Sequence, residues 1–132
     1  MRIKFKAGGR DFSFNEIETN AIRKQFQDPR IHFAIVCASR GCPWLSRDAF
    51  TGARLEQMEA RTRLFLNQTR NIRFNRAQRE VRLSQIFEWY KEDFGSSTEN
   101  VLAFIGKYGA ELRQGKWKVR YIEYDWGIND VK

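Results

Sequence analysis

Apolar and charged positions alternate through most of this chain, and one uncharged run, residues 31–39, breaks the alternation. From Arg2 to Lys6, Ile3 and Phe5 fall on one face and Arg2, Lys4 and Lys6 on the other, the period-two pattern of a half-buried strand. Ala7-Gly8-Gly9-Arg10 reads as a turn, and Asp11 to Phe14 as the returning strand of a hairpin. Ser13 and Glu16 have capping-box spacing, with Asn15 a second candidate cap, for a helix carrying Ile17, Ala21, Ile22 and Phe26 on one stripe. That helix should stop before Asp28-Pro29, because a residue ahead of proline avoids helical geometry.

The run Ile31 to Cys37 is short, rich in β-branched residues and bounded by proline and glycine, which predicts a strand buried on both faces. Residues 38–52 read as a long loop. Arg54 to Gln68 is an amphipathic helix with Leu55, Met58, Phe65 and Leu66 inward. Ile72 and Phe74 alternate, as do Val81 and Leu83, which predicts a second hairpin over residues 71–84 turning through Asn75 to Arg79. Ser84 is placed to cap a short helix that runs to Phe94 and closes at Gly95. Thr98 caps the next, with Val101, Leu102 and Ile105 inward, ending over residues 106–109. Lys116 to Asp125 is a last strand, with Trp117, Val119 and Tyr121 opposite Lys118 and Arg120. The expected architecture is α+β, a mostly antiparallel sheet with helices packed against it, in a single compact domain over residues 1–132.

Composition changes this picture little. A chain of 132 residues with 11 Phe, 4 Trp and 4 Tyr has enough apolar bulk for one packed core. No apolar run has the roughly 18 residues of a membrane helix, so no membrane association is expected. The N-terminus alternates charge with apolar residues and lacks a signal-peptide core, which makes a cytoplasmic location the default expectation. Net charge is +8, which admits an anionic partner and equally a purely solubilising role.

The candidate chemistry gathers in residues 28–45, which hold the one histidine, both cysteines and both prolines. His32 and Cys37 are five apart, so in a strand they point to opposite faces and in a helix they are splayed about 140° apart. Neither geometry makes a local nucleophile–base pair; His32 and Cys42 would have to meet across the loop. The plainer reading is a buried histidine holding a backbone carbonyl, with Cys37 as a small core residue. Cys37 and Cys42 lack Cys-x-x-Cys spacing, yet they could close a reversible disulfide over a glycine-containing loop, with Arg40 favouring the thiolate. A closed zinc site needs four ligands and the chain offers three such residues, so neither metal nor cofactor is expected. Arg70, Arg73, Arg76, Arg79 and Arg82 recur every third position through the second hairpin and are candidates for binding a polyanion or nucleic acid. If the first and last strands share a sheet, Lys4, Lys6, Lys118 and Arg120 would extend that surface. The plainer reading is the wet face of a half-buried sheet. Glu88, Glu92, Asp93 and Glu99 are read as solvating helix faces, and Tyr121, Tyr124, Trp126 and Trp44 as core, or as the lining of a groove.

Asp28-Pro29-Arg30-Ile31-His32-Phe33-Ala34, followed by Cys37 and Cys42-Pro43, resembles the signature of the domain of unknown function 547 family. Ordered matches extend the resemblance: Phe12-Ser13 with Asn15-Glu16-Ile17-Glu18, Leu83 to Tyr90, Asp93-Phe94-Gly95, and Tyr124-Asp125-Trp126 with Asn129. The resemblance implies an additional N-terminal helical segment, absent here, and a second proline where this chain has Trp44. On that reading the chain is an N-terminally shortened member, with apolar surface to be covered by the missing segment, a partner chain or a second copy. A more distant likeness to papain and transglutaminase-like proteins implies His32 as a catalytic base oriented by Asp125, with the nucleophile on the missing helix.

Three functional expectations follow: a binding or interaction module without a complete catalytic site of its own, a thiol-dependent or redox-active domain using His32, Cys37 and Cys42, and a polyanion-binding module.

Overall fold

The structure, a computed structural model, describes residues 3–54, 56–109, 112 and 115–130. The first hairpin pairs β1 (Phe5–Ala7) with β2 (Arg10–Phe12) in antiparallel register around Gly8 and Gly9, both at positive φ. It forms closer to the turn than the alternation predicted. Ile3 lies outside it and is exposed, and Arg2 falls outside the described residues.

Helix α1 (residues 14–26) starts as anticipated. Ser13 Oγ accepts the Glu16 amide at 3.2 Å, and the Glu16 carboxylate accepts the Ser13 amide at 2.7 Å, so the two satisfy donors that a helix start leaves open. Between Ile17 and Arg23 the helix widens to i→i+5 hydrogen bonding, and Arg23 at the end of that stretch reaches the site described below. It ends at Gln27, in the left-handed region, before Asp28-Pro29. Ile17, Ala21 and Ile22 are half-buried, and Phe14 at its start is 75% exposed. Ser13→Ala is expected to destabilise the fold by about 1 kcal/mol, read as a lower urea midpoint and earlier amide exchange at Glu16.

The run expected as a buried strand over residues 31–37 forms no strand: its first three residues belong to a 3-10 helix and the rest is turn and irregular. Pro29 sets φ for a first turn, the Asp28 carboxylate accepts the Arg30 amide at 2.9 Å, and a 3-10 helix forms over Pro29–Phe33. A uniformly apolar run carries no periodicity, so the alternation could not separate the two outcomes; the proline and its aspartate cap decide. Ile31, His32 and Phe33 are all buried, whereas Cys37, expected in the core, is exposed.

After the loop, α2 (Glu56–Leu66) buries Met58, Thr62, Phe65 and Leu66, with Leu55 outside the described residues. Strands β3 (Ile72–Asn75) and β4 (Glu80–Ser84) form the second hairpin, with Ile72 opposite Leu83 and Phe74 opposite Val81. Ser84 Oγ accepts the Ile86 amide at 3.3 Å at the start of α3 (Ile86–Trp89), and a 3-10 turn, Lys91–Phe94, closes at Gly95 with φ +99°. The cap of α4 (Thr98–Gly106) is Ser97, not Thr98: its side chain accepts the Asn100 amide. Strand β5 (Lys118–Ile122) pairs with β4 in parallel, giving a three-stranded mixed sheet in the order β3-β4-β5. Parallel pairing needs a crossover, and the segment holding α3 and α4 supplies it. The α+β class therefore holds, with helices on the sheet face that carries Ile72, Val81, Leu83 and Tyr121.

Phe33 occupies the middle of the core at 1% exposure, its ring 5.0 Å from Phe65, 6.0 Å from Phe87 and 6.2 Å from Phe104. The core therefore grips the residue next to His32. Among the described residues no helix is long and apolar enough to cross a membrane.

Candidate functional site

The 3-10 helix directs His32 under a groove of about 580 Å³ between α1, the cysteine loop, α3 and the C-terminal segment. Phe14, Ile17 and Ile22 form one wall, Trp89, Tyr90 and Trp126 the other, and His32, Cys37, Cys42 and Tyr124 complete the lining. A larger hollow of about 790 Å³ lies between α4 and Trp117 and carries no cysteine or histidine.

Under the groove is a hydrogen-bonded set reaching far along the chain. His32 Nε2 donates to Asp93 Oδ2 at 2.7 Å, and Arg23 Nε donates to the same oxygen at 2.6 Å. Tyr90 stacks on the His32 ring at 4.0 Å, and the Arg23 guanidinium lies 5.0 Å from the Tyr90 ring centroid. Burial drives the His32 pKa below its usual value, against the hydrogen bond from Asp93, so the ring is neutral near pH 7. With Nε2 carrying the proton, Nδ1 is the acceptor nitrogen. Burial would raise the Asp93 pKa, but the bonds from Arg23 and His32 prevail and hold it below the usual carboxylate range.

The second set is built on the cysteine loop. Backbone bonds from Arg40 to Gly127, Gly41 to Asp125 and Asn129 to Ala38 stitch the loop to the C-terminal segment. Gly41 packs so closely on Tyr124 that an added Cβ would sit 2.8 Å from the ring. This brings the Tyr124 hydroxyl within 2.8 Å of Ser39 Oγ and 3.7 Å of Cys37 Sγ, while Ser39 Oγ lies 3.0 Å from Cys37 Sγ. The Cys37 amide donates to Cys42 Sγ at 2.8 Å. Partial burial opposes ionisation of Cys37, but bonds from Ser39, Cys42 and Tyr124 outweigh it and bring the pKa down to about 7. Cys42 is pushed up to about 11, first by burial and then by its charged neighbour Cys37. Tyr124, also buried, is raised as well.

The geometry gives these residues partners other than those expected. The carboxylate bonded to His32 is that of Asp93, whereas Asp125 is exposed and its carboxylate accepts the Gly127 amide at 2.9 Å. Nor does the histidine hold a backbone carbonyl as its buried partner; it holds that carboxylate. Among the described residues no hydrogen bond joins His32 to Cys37 or Cys42, although all three line one groove.

The arginines spaced by three are dispersed. Arg73 faces Arg82 across β3 and β4, and Arg82 faces Arg120 across β4 and β5, forming a row on the solvent side of the sheet. Glu80 sits among them, 2.9 Å from Arg82 Nε and 3.8 Å from Arg120 Nε, offsetting the repulsion of like charges in register. Arg70 stacks over Trp44 at 5.1 Å, and Arg76 and Arg79 lie in the hairpin turn. Strand β1 pairs with β2 alone, so the anticipated joint surface of the first and last strands does not form.

The family model for a protein of unknown function, DUF547, matches residues 1–66. The chain belongs to the DUF547 family. No curated protein and no solved structure matches it.

The DUF547 match takes in the first hairpin, α1, the 3-10 helix and the cysteine loop, and with them Arg23, His32, Ser39, Cys37 and Cys42. Asp93, Tyr90, Tyr124 and Trp126 come from the other half of this DUF547 chain, so the groove is assembled across the boundary of the match. The sequence alone places Asp93 among acids solvating helix faces and Tyr90 within the short helix that runs to Phe94. Their one sequence signal was the set of short family motifs, Leu83 to Tyr90, Asp93-Phe94-Gly95 and Tyr124-Asp125-Trp126.

Proposed function

We propose that this DUF547 chain is a binding module whose site is the aromatic groove, and that its ligand is a small molecule with an apolar or aromatic body and a hydrogen-bond donor. The observation that carries this reading is the convergence of Phe14, Trp89, Tyr90 and Trp126 around a polar floor in a groove of about 580 Å³. That volume falls in the range of about 300–1,000 Å³ typical of small-molecule sites. The neutral His32 supplies an acceptor nitrogen for the ligand's donor, and the Asp93 bond keeps that tautomer in place. Phe14 at 75% and Trp126 at 70% exposure are apolar surfaces that a ligand would cover. Acyl transfer by a cysteine activated by histidine is not favoured, because no hydrogen bond joins His32 to either sulfur.

The test uses 8-anilinonaphthalene-1-sulfonate as the probe. Its fluorescence should rise saturably with the protein, and Trp126→Ala should weaken binding about fivefold, the value of one lost aromatic contact of about 1 kcal/mol. Unchanged affinity in both Trp126→Ala and Ile17→Asp would overturn the reading. Concentration-dependent self-association in sedimentation that is abolished by Phe14→Asp would overturn it in favour of a second copy as the occupant.

A further inference from the structure

We propose that Cys37 and Cys42 form a dithiol–disulfide couple that exchanges with small organic disulfides. This activity is separate from ligand binding in the groove and does not depend on it.

The two sulfurs differ in the way such a couple requires. Cys37 is exposed and Cys42 is buried, so an incoming disulfide reaches only the first. Cys42 is the neighbouring thiol: its sulfur accepts the Cys37 amide at 2.8 Å, which places it against the backbone of the residue it would attack. Backbone bonds from Arg40 and Gly41 to residues 127 and 125, and from Cys42 to Ser39, hold both cysteines on one short anchored turn. Ser39 Oγ, 3.0 Å from Cys37 Sγ, donates to that sulfur when it is anionic and in turn accepts from the Tyr124 hydroxyl at 2.8 Å.

The steps balance without a further reactant. The Cys37 thiolate attacks one sulfur of the disulfide, forming a mixed disulfide and releasing one thiolate. Cys42 then gives up its proton to the released thiolate and attacks Cys37 Sγ, closing the Cys37–Cys42 bond and releasing the second half as a thiolate, which takes back from solvent the proton that Cys37 lost on ionising. The protein's two thiols are oxidised and the small disulfide is reduced to two thiols; a dithiol reductant reverses the exchange. Capping Cys37 also removes the charge that opposes ionisation of Cys42, so the first step makes the second easier.

This assignment differs from a histidine-assisted thiol. His32 is bonded to Asp93, and among the described residues no hydrogen bond joins it to either sulfur, so the exchange does not use it as a base.

The experiment is intact-protein mass spectrometry of the native chain after incubation with 2-hydroxyethyl disulfide at neutral pH. The expected product has lost the mass of both thiol hydrogens and carries no adduct. Cys42→Ser should stop at the mixed disulfide on Cys37, and Cys42→Ala is the check should serine disturb the buried position. Cys37→Ser should react at least about tenfold more slowly, since only the buried thiol remains. In the wild type, alkylation of Cys37 should be half-maximal near pH 7, and Ser39→Ala should move that midpoint upward. Accumulation of a mixed disulfide or a double adduct in the wild type would overturn the proposal. So would equal rates in the two cysteine variants. Failure of the naphthalene probe to bind would leave this result untouched, because the two measurements read different atoms.

Discussion

Phe33→Ala is expected to remove about 3–5 kcal/mol of stability, the usual loss when a buried phenylalanine is truncated and its cavity cannot collapse. The ring is 1% exposed and lies among Phe65, Phe87, Phe94 and Phe104, contributed by α2, α3, the following 3-10 turn and α4. No neighbouring side chain can move in without leaving a gap behind it, because each is packed in the same cluster. For a domain held together by about 5–15 kcal/mol in total, this is a large share. Urea unfolding followed by tryptophan fluorescence checks it: the midpoint should fall while the slope stays constant. Phe33→Leu should lose clearly less. A loss under about 1 kcal/mol for the alanine variant would mean that the core is not centred on this ring. Because Phe33 follows His32 directly, the same truncation should loosen the floor of the groove.

Asp93→Ala should cost about 2–3 kcal/mol at pH 7, since it strips the partner from a buried imidazole and from the Arg23 guanidinium together. The acid side of the stability profile follows from the directions of the two shifts. His32 has a folded pKa below its unfolded value of about 6.5, so it resists the proton that the unfolded chain accepts. Its contribution is fully present above about pH 6.5 and is lost as pH falls through the lower folded value. Asp93 is also lowered, so its contribution is present above about pH 4 and is lost below, through its own folded value. The wild type should therefore be less stable at pH 5.5 than at pH 7. In Asp93→Ala, where the carboxylate no longer favours the imidazolium, the fall between those two values should continue to lower pH. Urea titrations at the two pH values test both points. A variant within about 0.5 kcal/mol of wild type at pH 7 would show that the triad contributes nothing beyond surface charge.

Much of the local structure was legible in the sequence, and for identifiable reasons. The capping box at Ser13 and Glu16, the stop at Asp28-Pro29, the second hairpin and the Gly95 closure are each set by residues within a few positions of one another. Those signals act through backbone donors, φ restriction and side-chain alternation, which the chain carries wherever it folds. The predicted strand over residues 31–37 failed because a uniformly apolar run carries no periodicity, and Pro29 with its Asp28 cap set a 3-10 turn in its place. Helix α1 also departs from its expected stripe at Phe26, which is left exposed.

The sequence by itself singled out residues 28–45 as the place to look for a site, because the one histidine and both cysteines fall within eleven positions there. It also determined the α+β class and the family. Only the tertiary structure decided the partners. Asp93 reaches His32 from 61 positions away, and Tyr124 reaches Cys37 from 87 positions away. It likewise decided that β5 runs parallel to β4, that the arginines disperse, and that Cys37 rather than Cys42 faces solvent. The reason is physical. Caps, turns and alternation are settled by neighbours in the chain, whereas a hydrogen bond between distant side chains exists only where packing has already brought their elements together.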